Sequence, residues 1–157
     1  MRRRENCILP GSAGVREMSE ALRFHFDVDG ENFSSAGEAS VAVKKKLRQL
    51  GYPPEIIRKV AIAMYEGEIN MVIHAHGGDA DVTVDEDEIT IVLRDKGPGI
   101  PDVALAMQEG YSTAKDQIRA LGFGAGMGLP NMKKNTDSLQ IDTTVGTGTT
   151  VTMKVFL

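Results

Sequence analysis

Alternating hydrophobic and polar residues begin the patterned part of the chain. Phe24, Phe26 and Val28 alternate with polar neighbours after Leu22, and Gly30 follows them. A period of two residues predicts an edge strand or a half-buried strand. We expect this strand to end at Gly30.

Two helical patterns follow this strand. Ser34 or Ser35 is a suitable N-cap for a first helix that runs to Leu50. A second, longer helix is predicted from Pro53 to about residue 76, because proline is tolerated in the first turn of a helix. The expected apolar side of the first helix contains Val41, Leu47 and Leu50, and that of the second contains Ile57, Val60, Ala61, Met64, Met71, Val72 and Ala75.

The remaining patterns are short and predict mainly antiparallel pairing. They indicate two strands, a short helix, a helix after a glycine-rich stretch and a final hairpin, at residues 81–84, 88–93, 102–108, 128–135, 139–144 and 149–156. Since helices precede and interrupt the strands, we predict a two-layer α+β sandwich. Its sheet is expected to be mixed but mostly antiparallel, with helices packed on one face.

The second predicted helix carries a row of polar residues on an otherwise apolar surface. Glu66, Asn70 and His74 are spaced by four residues and share the side opposite the apolar stripe. Two interpretations remain open for Glu66 and Asn70. They form an ordinary surface pair, or a proton-abstracting carboxylate lies beside an amide oxygen that binds Mg²⁺. Glu68 is a competing carboxylate that falls within the apolar stripe.

Composition limits the class of protein. The 157 residues, 41% of them hydrophobic, suffice for one domain with a single core. A net charge of −4 argues against direct nucleic-acid binding, and the single cysteine, Cys7, excludes an internal disulfide. No apolar run reaches the ~18 residues of a membrane helix, so we expect a cytoplasmic protein. We predict a disordered basic leader over residues 1–17 and one domain over residues 18–157.

Two glycine clusters stand out in a chain with 17 glycines and only 5% aromatic residues. The first, Asp95-Lys96-Gly97-Pro98-Gly99, follows an apolar strand. It is an ordinary turn, or its carboxylate accepts a hydrogen bond from an exocyclic amine such as that of adenine. The second cluster, over residues 122–129, precedes a helix. It is a flexible loop, or its amides bind an anion such as phosphate.

Four sequence elements occur in an order that resembles the GHKL ATP-binding superfamily, and in particular its bacterial anti-sigma regulatory kinases. Residues 65–74 (YEGEINMVIH) resemble the N box, residues 94–100 (RDKGPGI) the G1 box and residues 124–129 (GAGMGL) the second glycine box. Gly148-Thr149-Thr150 resembles the Gly-Thr motif that closes the adenine pocket. The resemblance covers about residues 22–157 and implies the α+β ATPase fold of this superfamily.

The resemblance also implies ATP and Mg²⁺ as cofactors and assigns roles to individual residues. Glu66 would act as general base, Asn70 would hold Mg²⁺, and Asp95 would accept a hydrogen bond from the adenine amino group with support from Thr149. Residues 110–126 would form a lid over the phosphates, with polar contacts from Tyr111, Ser112, Thr113 and Lys115. The full expected nucleotide-binding set is Asn70, Asp95, Gly97, Gly99, Ile100, Thr113, Gly124, Gly126, Met127, Gly128, Leu129 and Thr149.

The acceptor of the phosphoryl group is expected to be another protein. We expect no phosphoacceptor helix of a histidine kinase before Leu22, and the early His25 lies on a predicted strand. The resemblance therefore implies a serine/threonine kinase that phosphorylates an antagonist (anti-anti-sigma) protein and controls a sigma factor. A homodimer through the edge strand is a further expectation. The alternatives are an ATP-gated binding module without kinase activity and an α+β domain that binds no nucleotide.

Overall fold

The fold consists of one sheet and a helical layer, and the computed structural model describes residues 21–112, 114 and 126–157. A first strand, β1 (Leu22–Asp29), leads through a 3₁₀ turn (Phe33–Ser35) into α1 (Glu38–Gln49) and α2 (Pro54–Ala75). The hairpin of β2 (Gly77–Val84) and β3 (Glu88–Asp95) follows. The described part ends with α3 (Val103–Ala106), α4 (Gly128–Lys134), β4 (Ser138–Thr144) and β5 (Gly148–Phe156).

The five strands form a single sheet in the order β1-β2-β3-β5-β4, and each of the four pairings is antiparallel. Alternate residues of the strands point to a buried face, including Val82, Ile91 and Met153, which are fully buried. Helix α2 contacts β1, β2, β3 and β5 on this face, while α1 and α4 pack beside it. The predicted two-layer α+β sandwich is confirmed, but the sheet was expected to be mixed and the described strands pair in the antiparallel sense only.

Helix α2 approaches the sheet closely at one glycine. A Cβ atom added to Gly67 would lie 2.0 Å from Cδ1 of Leu93 on β3. Since no larger residue fits without displacing Leu93, this glycine sets the separation of helix and sheet. It also places the neighbouring residues of α2 next to the end of β3. None of the described helices has the length and apolar character required to span a membrane.

The N-terminus of α1 differs from the prediction. Neither Ser34 nor Ser35 caps this helix; both belong to the preceding 3₁₀ turn, which Asn32 caps by accepting a hydrogen bond from the amide of Ser34. Helix α1 begins at Glu38, after Gly37 with φ 94°. The buried side of this helix is formed by Ala39, Ser40, Val43 and Leu47. Val41 and Leu50, two of the residues expected on the apolar side, are 66% and 47% exposed.

Gly77 and Gly78 do more than end α2, because they already belong to β2. They pair with Asp29 and Val28 of β1. A Cβ atom on Gly77 would lie 2.2 Å from the carbonyl oxygen of Val28, so glycine permits the two strands to meet here. The strand therefore starts four residues before the predicted residue 81. The helix α2 and the final hairpin agree with their predicted bounds within one or two residues.

Candidate active site

A cavity of about 490 Å³ lies between α2, the end of β3 with its following loop, α3, the start of α4 and the start of β5. Its size falls within the range of small-molecule sites. The polar side chains that line it include those of Glu66, Asn70, His74, Asp95 and Thr149. The rest of the wall is largely apolar and includes Ile69, Met71, Leu93, Leu105, Met132 and Val151.

Asp95 ends β3 at the cavity wall, and its carboxylate is held by backbone amides. Oδ1 accepts hydrogen bonds from the amide of Gly97, at 2.9 Å, and from the amide of Thr149, at 3.2 Å. Both bonds use the same oxygen, and none of the described residues donates a hydrogen bond to Oδ2, so this oxygen can accept a bond from a ligand. An orientated carboxylate acceptor beside an apolar wall is suited to a flat ring that carries an amino group.

Thr149 is opposite Asp95 in the β3–β5 pairing and opposite Thr143 in the β4–β5 pairing. The three side chains therefore form one row across three strands. The hydroxyl oxygens of Thr143 and Thr149 are 2.9 Å apart, and Oγ1 of Thr143 accepts a hydrogen bond of 2.8 Å from the amide of Ile100. The sequence prediction missed Thr143. Its signal is a threonine at the inward position that continues Leu139 and Ile141 along β4.

Helix α2 presents Glu66, Asn70 and His74 to the cavity, as their spacing predicted. Oε1 of Glu66 accepts a hydrogen bond of 3.1 Å from Nδ2 of Asn131 on α4, a partner that the sequence prediction missed. In the sequence, the only local indication of a role for Asn131 is its position, three residues after Gly128 of the second glycine cluster. Burial lowers the pKa of His74, so this imidazole is neutral at pH 7.

Glu68, the competing carboxylate, has a structural role away from the cavity. It is 2% exposed, and its two oxygens accept hydrogen bonds from the amides of Gly37, Ala39 and Ser40 at the start of α1. Burial raises the pKa of Glu68, and these amide hydrogen bonds oppose the increase. This residue is therefore the side-chain cap of α1, supplied from another helix.

The structure brings most of the predicted site residues to one cavity. Asn70, Asp95, Gly99, Ile100, Gly126, Met127, Gly128, Leu129 and Thr149 line it, together with the expected lid residues Tyr111 and Ser112. Gly97 does not line the cavity and instead donates its amide to Asp95. Thr113, Lys115 and Gly124 lie outside the described residues.

Glycine is required at two of these positions. Gly99 has φ 77°, and a Cβ atom there would lie 2.6 Å from the carbonyl oxygen of Thr144. Gly126 has φ 78°, and a Cβ atom there would lie 2.4 Å from the carbonyl carbon of Gly110. The carbonyl of Gly126 accepts a hydrogen bond of 3.0 Å from the amide of Gly110. The two ends of the predicted lid segment are thus joined at the cavity.

The donor set of the cavity fits ATP and Mg²⁺. Asp95 leaves one carboxylate oxygen for an amine, and the cavity wall beside it is apolar enough for a purine ring. Asn70 and Glu66 supply oxygen atoms, the ligands that Mg²⁺ prefers. Gly128 is close to Asn70, because an added Cβ atom would lie 3.0 Å from its Oδ1. The backbone of the second glycine box therefore borders the proposed metal ligand.

The same motifs and fold define a class of protein. The family model of the histidine kinase-like ATPase domain matches residues 33–155, so the chain belongs to this family. Within it, an anti-sigma F factor of Clostridium beijerinckii is 33% identical over 122 residues, which cover 74% of this chain and 82% of that protein. The chain is thus similar to the anti-sigma regulators of the family.

Two further proteins are similar to this chain. The serine/threonine-protein kinase RsbT of Bacillus subtilis is 28% identical over 108 residues, which cover 66% of this chain and 75% of that protein. A crystal structure of RsbU and RsbW domains from Mycobacterium tuberculosis superposes with a TM-score of 0.59 at 16% identity. This alignment covers 85% of the present chain and 32% of the longer chain, and it supports the fold alone.

Proposed function

We propose that the protein binds ATP in this cavity and transfers the γ-phosphoryl group to a serine or threonine of an antagonist protein, through which it controls a sigma factor. The observation that carries the proposal is the convergence of Glu66, Asn70, Asp95 and Thr149 on one cavity. These residues come from three separate segments of the chain, and all three segments lie within the part that the family model matches. The names of the relatives, anti-sigma F factor and serine/threonine-protein kinase, support the regulatory role.

The two ends of the cavity suit the two ends of ATP. Asp95 and Thr149, on β3 and β5, offer the acceptor and hydroxyl that an adenine edge requires. Glu66 and Asn70, on α2, lie beside the backbone of the second glycine box and would face the phosphates. Asn70 would hold Mg²⁺, which when bound neutralises phosphate charge.

Glu66 is the proposed catalytic base. Its carboxylate accepts the proton of the acceptor hydroxyl while the hydroxyl oxygen bonds to the γ-phosphorus and the bond from that phosphorus to the ADP oxygen breaks. Asn131 donates to Oε1, and since no described residue donates to Oε2, this second oxygen is the one proposed to take the proton. The hydrogen bond from Asn131 also holds the carboxylate of Glu66 in one orientation, as general base catalysis requires.

Two exposed aromatic side chains at the cavity support a protein as the acceptor. Tyr65 and Tyr111 line the cavity and are 40% and 39% exposed. Tyrosine is common in protein interfaces because its ring is apolar and its hydroxyl is polar. A partner that contacts these rings would bring its serine or threonine close to Glu66.

Glu66→Ala tests the assignment. We expect this variant to bind ATP within about threefold of the unchanged protein and to lose at least about 100-fold in phosphoryl transfer, since general base catalysis contributes at least this factor. Transfer is measured with γ-labelled ATP and purified anti-anti-sigma proteins of the same cell. Glu55→Ala is the matched control, because Glu55 is on the same helix and its side chain is 81% exposed.

Two results would contradict different parts of this proposal. Undiminished transfer by Glu66→Ala would show that Glu66 is not the catalytic base. ATP-dependent capture of the antagonist by the unchanged protein with no label transferred, the behaviour of the binding-only module, would contradict kinase activity.

A further inference from the structure

The row of Asp95, Thr149 and Thr143 contains one residue that the proposed function does not use. Thr143 is one strand further from the cavity than Thr149 and does not line the cavity wall. It nevertheless bonds to two parts of that wall, the amide of Ile100 and the hydroxyl of Thr149. Its position lets it affect how the wall presents hydrogen-bond donors to a ligand.

The hydroxyl of Thr143 has a single proton, and its neighbours limit where this proton points. Oγ1 already accepts the bond from Ile100. Two acceptors remain, Oγ1 of Thr149 at 2.9 Å and the carbonyl oxygen of Gly148 at 3.4 Å. Only the first distance lies in the usual range of an O–H···O bond. Either hydroxyl can be the donor in the pair of Thr143 and Thr149, and the shorter distance favours donation by Thr143 to Thr149 over donation to Gly148.

We propose that Thr143 is a positioning residue for base recognition: by donating to Oγ1 of Thr149, it directs the hydroxyl proton of Thr149 into the cavity. This inference rests on the proposed ATP binding. Asp95 then offers an acceptor and Thr149 a donor, side by side on paired strands. Adenine has the complementary edge, an amino donor next to a ring-nitrogen acceptor. A 6-oxopurine has the opposite edge, because its oxygen is an acceptor and its neighbouring ring nitrogen carries a proton.

The test compares the binding of ATP with that of inosine triphosphate, a 6-oxopurine nucleotide, by calorimetry. In Thr143→Val the shape is kept, the amide of Ile100 loses its acceptor, and Thr149 is free to accept as well as donate. We expect ATP affinity to fall about tenfold, the usual effect of an unpaired donor and a lost hydrogen bond. The affinity for inosine triphosphate should fall much less, so the preference for ATP over inosine triphosphate should decrease by up to about tenfold.

Two matched variants separate positioning from general structural damage. Thr143→Ser restores the hydroxyl and should restore both affinity and preference. Thr152→Val makes the same change on β5, at a position with the opposite strand parity to Thr149, and should leave both nucleotides unaffected. If Thr143→Val loses equal factors for the two nucleotides, or if Thr143→Ser fails to recover the preference, the inference is wrong.

A measurement on the unchanged protein covers the case in which Thr143→Val does not fold. ATP in which the ring nitrogen beside the amino group is replaced by carbon should bind about tenfold more weakly than ATP, because the donor of Thr149 has no acceptor. Equal binding of the two nucleotides would overturn the inference. Failure of the proposed function is distinct, since the unchanged protein would then bind neither nucleotide.

Discussion

At the scale of single residues, the cavity combines groups whose neighbours fix their orientation. Asp95 is held by two backbone amides and Glu66 by the side chain of Asn131. His74 has no such partner among the hydrogen bonds described above. Instead, its partial burial lowers its pKa. Because this half-buried imidazole is neutral at pH 7, it should affect the stability of the protein in acid.

His74 should make the protein less stable as the pH falls below about 6.5. The pKa of His74 is lowered in the folded state from the ordinary value of 6.5, so the unfolded chain binds more protons in the interval between the two values. Stability must then decrease as pH falls through that interval. His74→Gln should reduce the loss of unfolding free energy between pH 7.5 and pH 5.5, measured by urea denaturation without nucleotide.

His25 supplies the opposite control. Its hydrogen bond to Asp81 on the open face of the sheet raises its pKa. A raised histidine pKa stabilises the folded state at low pH, and the contribution is lost as pH rises through the folded pKa. His25→Gln should therefore increase the acid loss of stability. The same acid loss in His74→Gln as in the unchanged protein would contradict the account of His74.

At the scale of elements, α2 organises its surroundings in two directions. One side presents Glu66 and Asn70 to the cavity, and Glu68 reaches the start of α1. Its carboxylate satisfies three amides that the helix itself leaves unpaired. Glu68, which lies on the next helix and 28 positions after Ser40, therefore sets the position of α1.

Glu68→Gln should destabilise the fold by about 2 kcal/mol. The substitution keeps the size of the side chain but replaces one acceptor oxygen with an amide donor that faces backbone N–H groups. The expected loss of about 2 kcal/mol is the cost of leaving buried donors without an acceptor. Equilibrium urea unfolding measures the change. Glu55→Gln, an exposed position on the same helix, should change stability by less than about 0.5 kcal/mol. Equal stability of Glu68→Gln and the unchanged protein would refute the capping role.

The same contact explains which part of the helical layer could be predicted from sequence. Proline at the start of α2 and a long apolar stripe are local signals, and the bounds of that helix follow from them. The cap of α1 is a tertiary contact, so the local rule selected Ser34 or Ser35 instead. Similarly, Gly77 and Gly78 indicate a helix end locally, but their pairing with β1 extends the strand.

At the scale of the whole molecule, the sheet brings distant motifs to one cavity. Glu66 and Thr149 are far apart in the sequence, yet the order β1-β2-β3-β5-β4 places the end of β3 beside the start of β5, on the sheet that α2 contacts. The motifs predicted Glu66, Asn70, Asp95 and Thr149 in the cavity, and the structure places them there. Asn131 and Thr143 were not predicted from the sequence. The role of Asn131 depends on the packing of α4 against α2, and that of Thr143 depends on the register of β4 and β5.

The other face of the sheet is polar and carries a separate network of charges. Arg94 contacts Asp79 and Asp81 of β2 through one guanidinium nitrogen, and Asp81 also contacts His25 of β1. These exposed pairs contribute little stability individually. The cavity is lined by other residues, so among the described residues a nucleotide in the cavity and this charged network do not compete for the same side chains.

The central claim is that the cavity binds ATP through Asp95, and calorimetric titration of ATP into Asp95→Asn tests it most directly. Asparagine preserves an oxygen for the amides of Gly97 and Thr149 but places an N–H donor where Oδ2 stood. We expect saturable one-to-one binding by the unchanged protein and by the exposed-turn control Asp87→Asn, and a loss of at least about 30-fold in Asp95→Asn, the size expected for a hydrogen bond to a charged group. No binding by the unchanged protein, or equal binding by Asp95→Asn, would contradict the account.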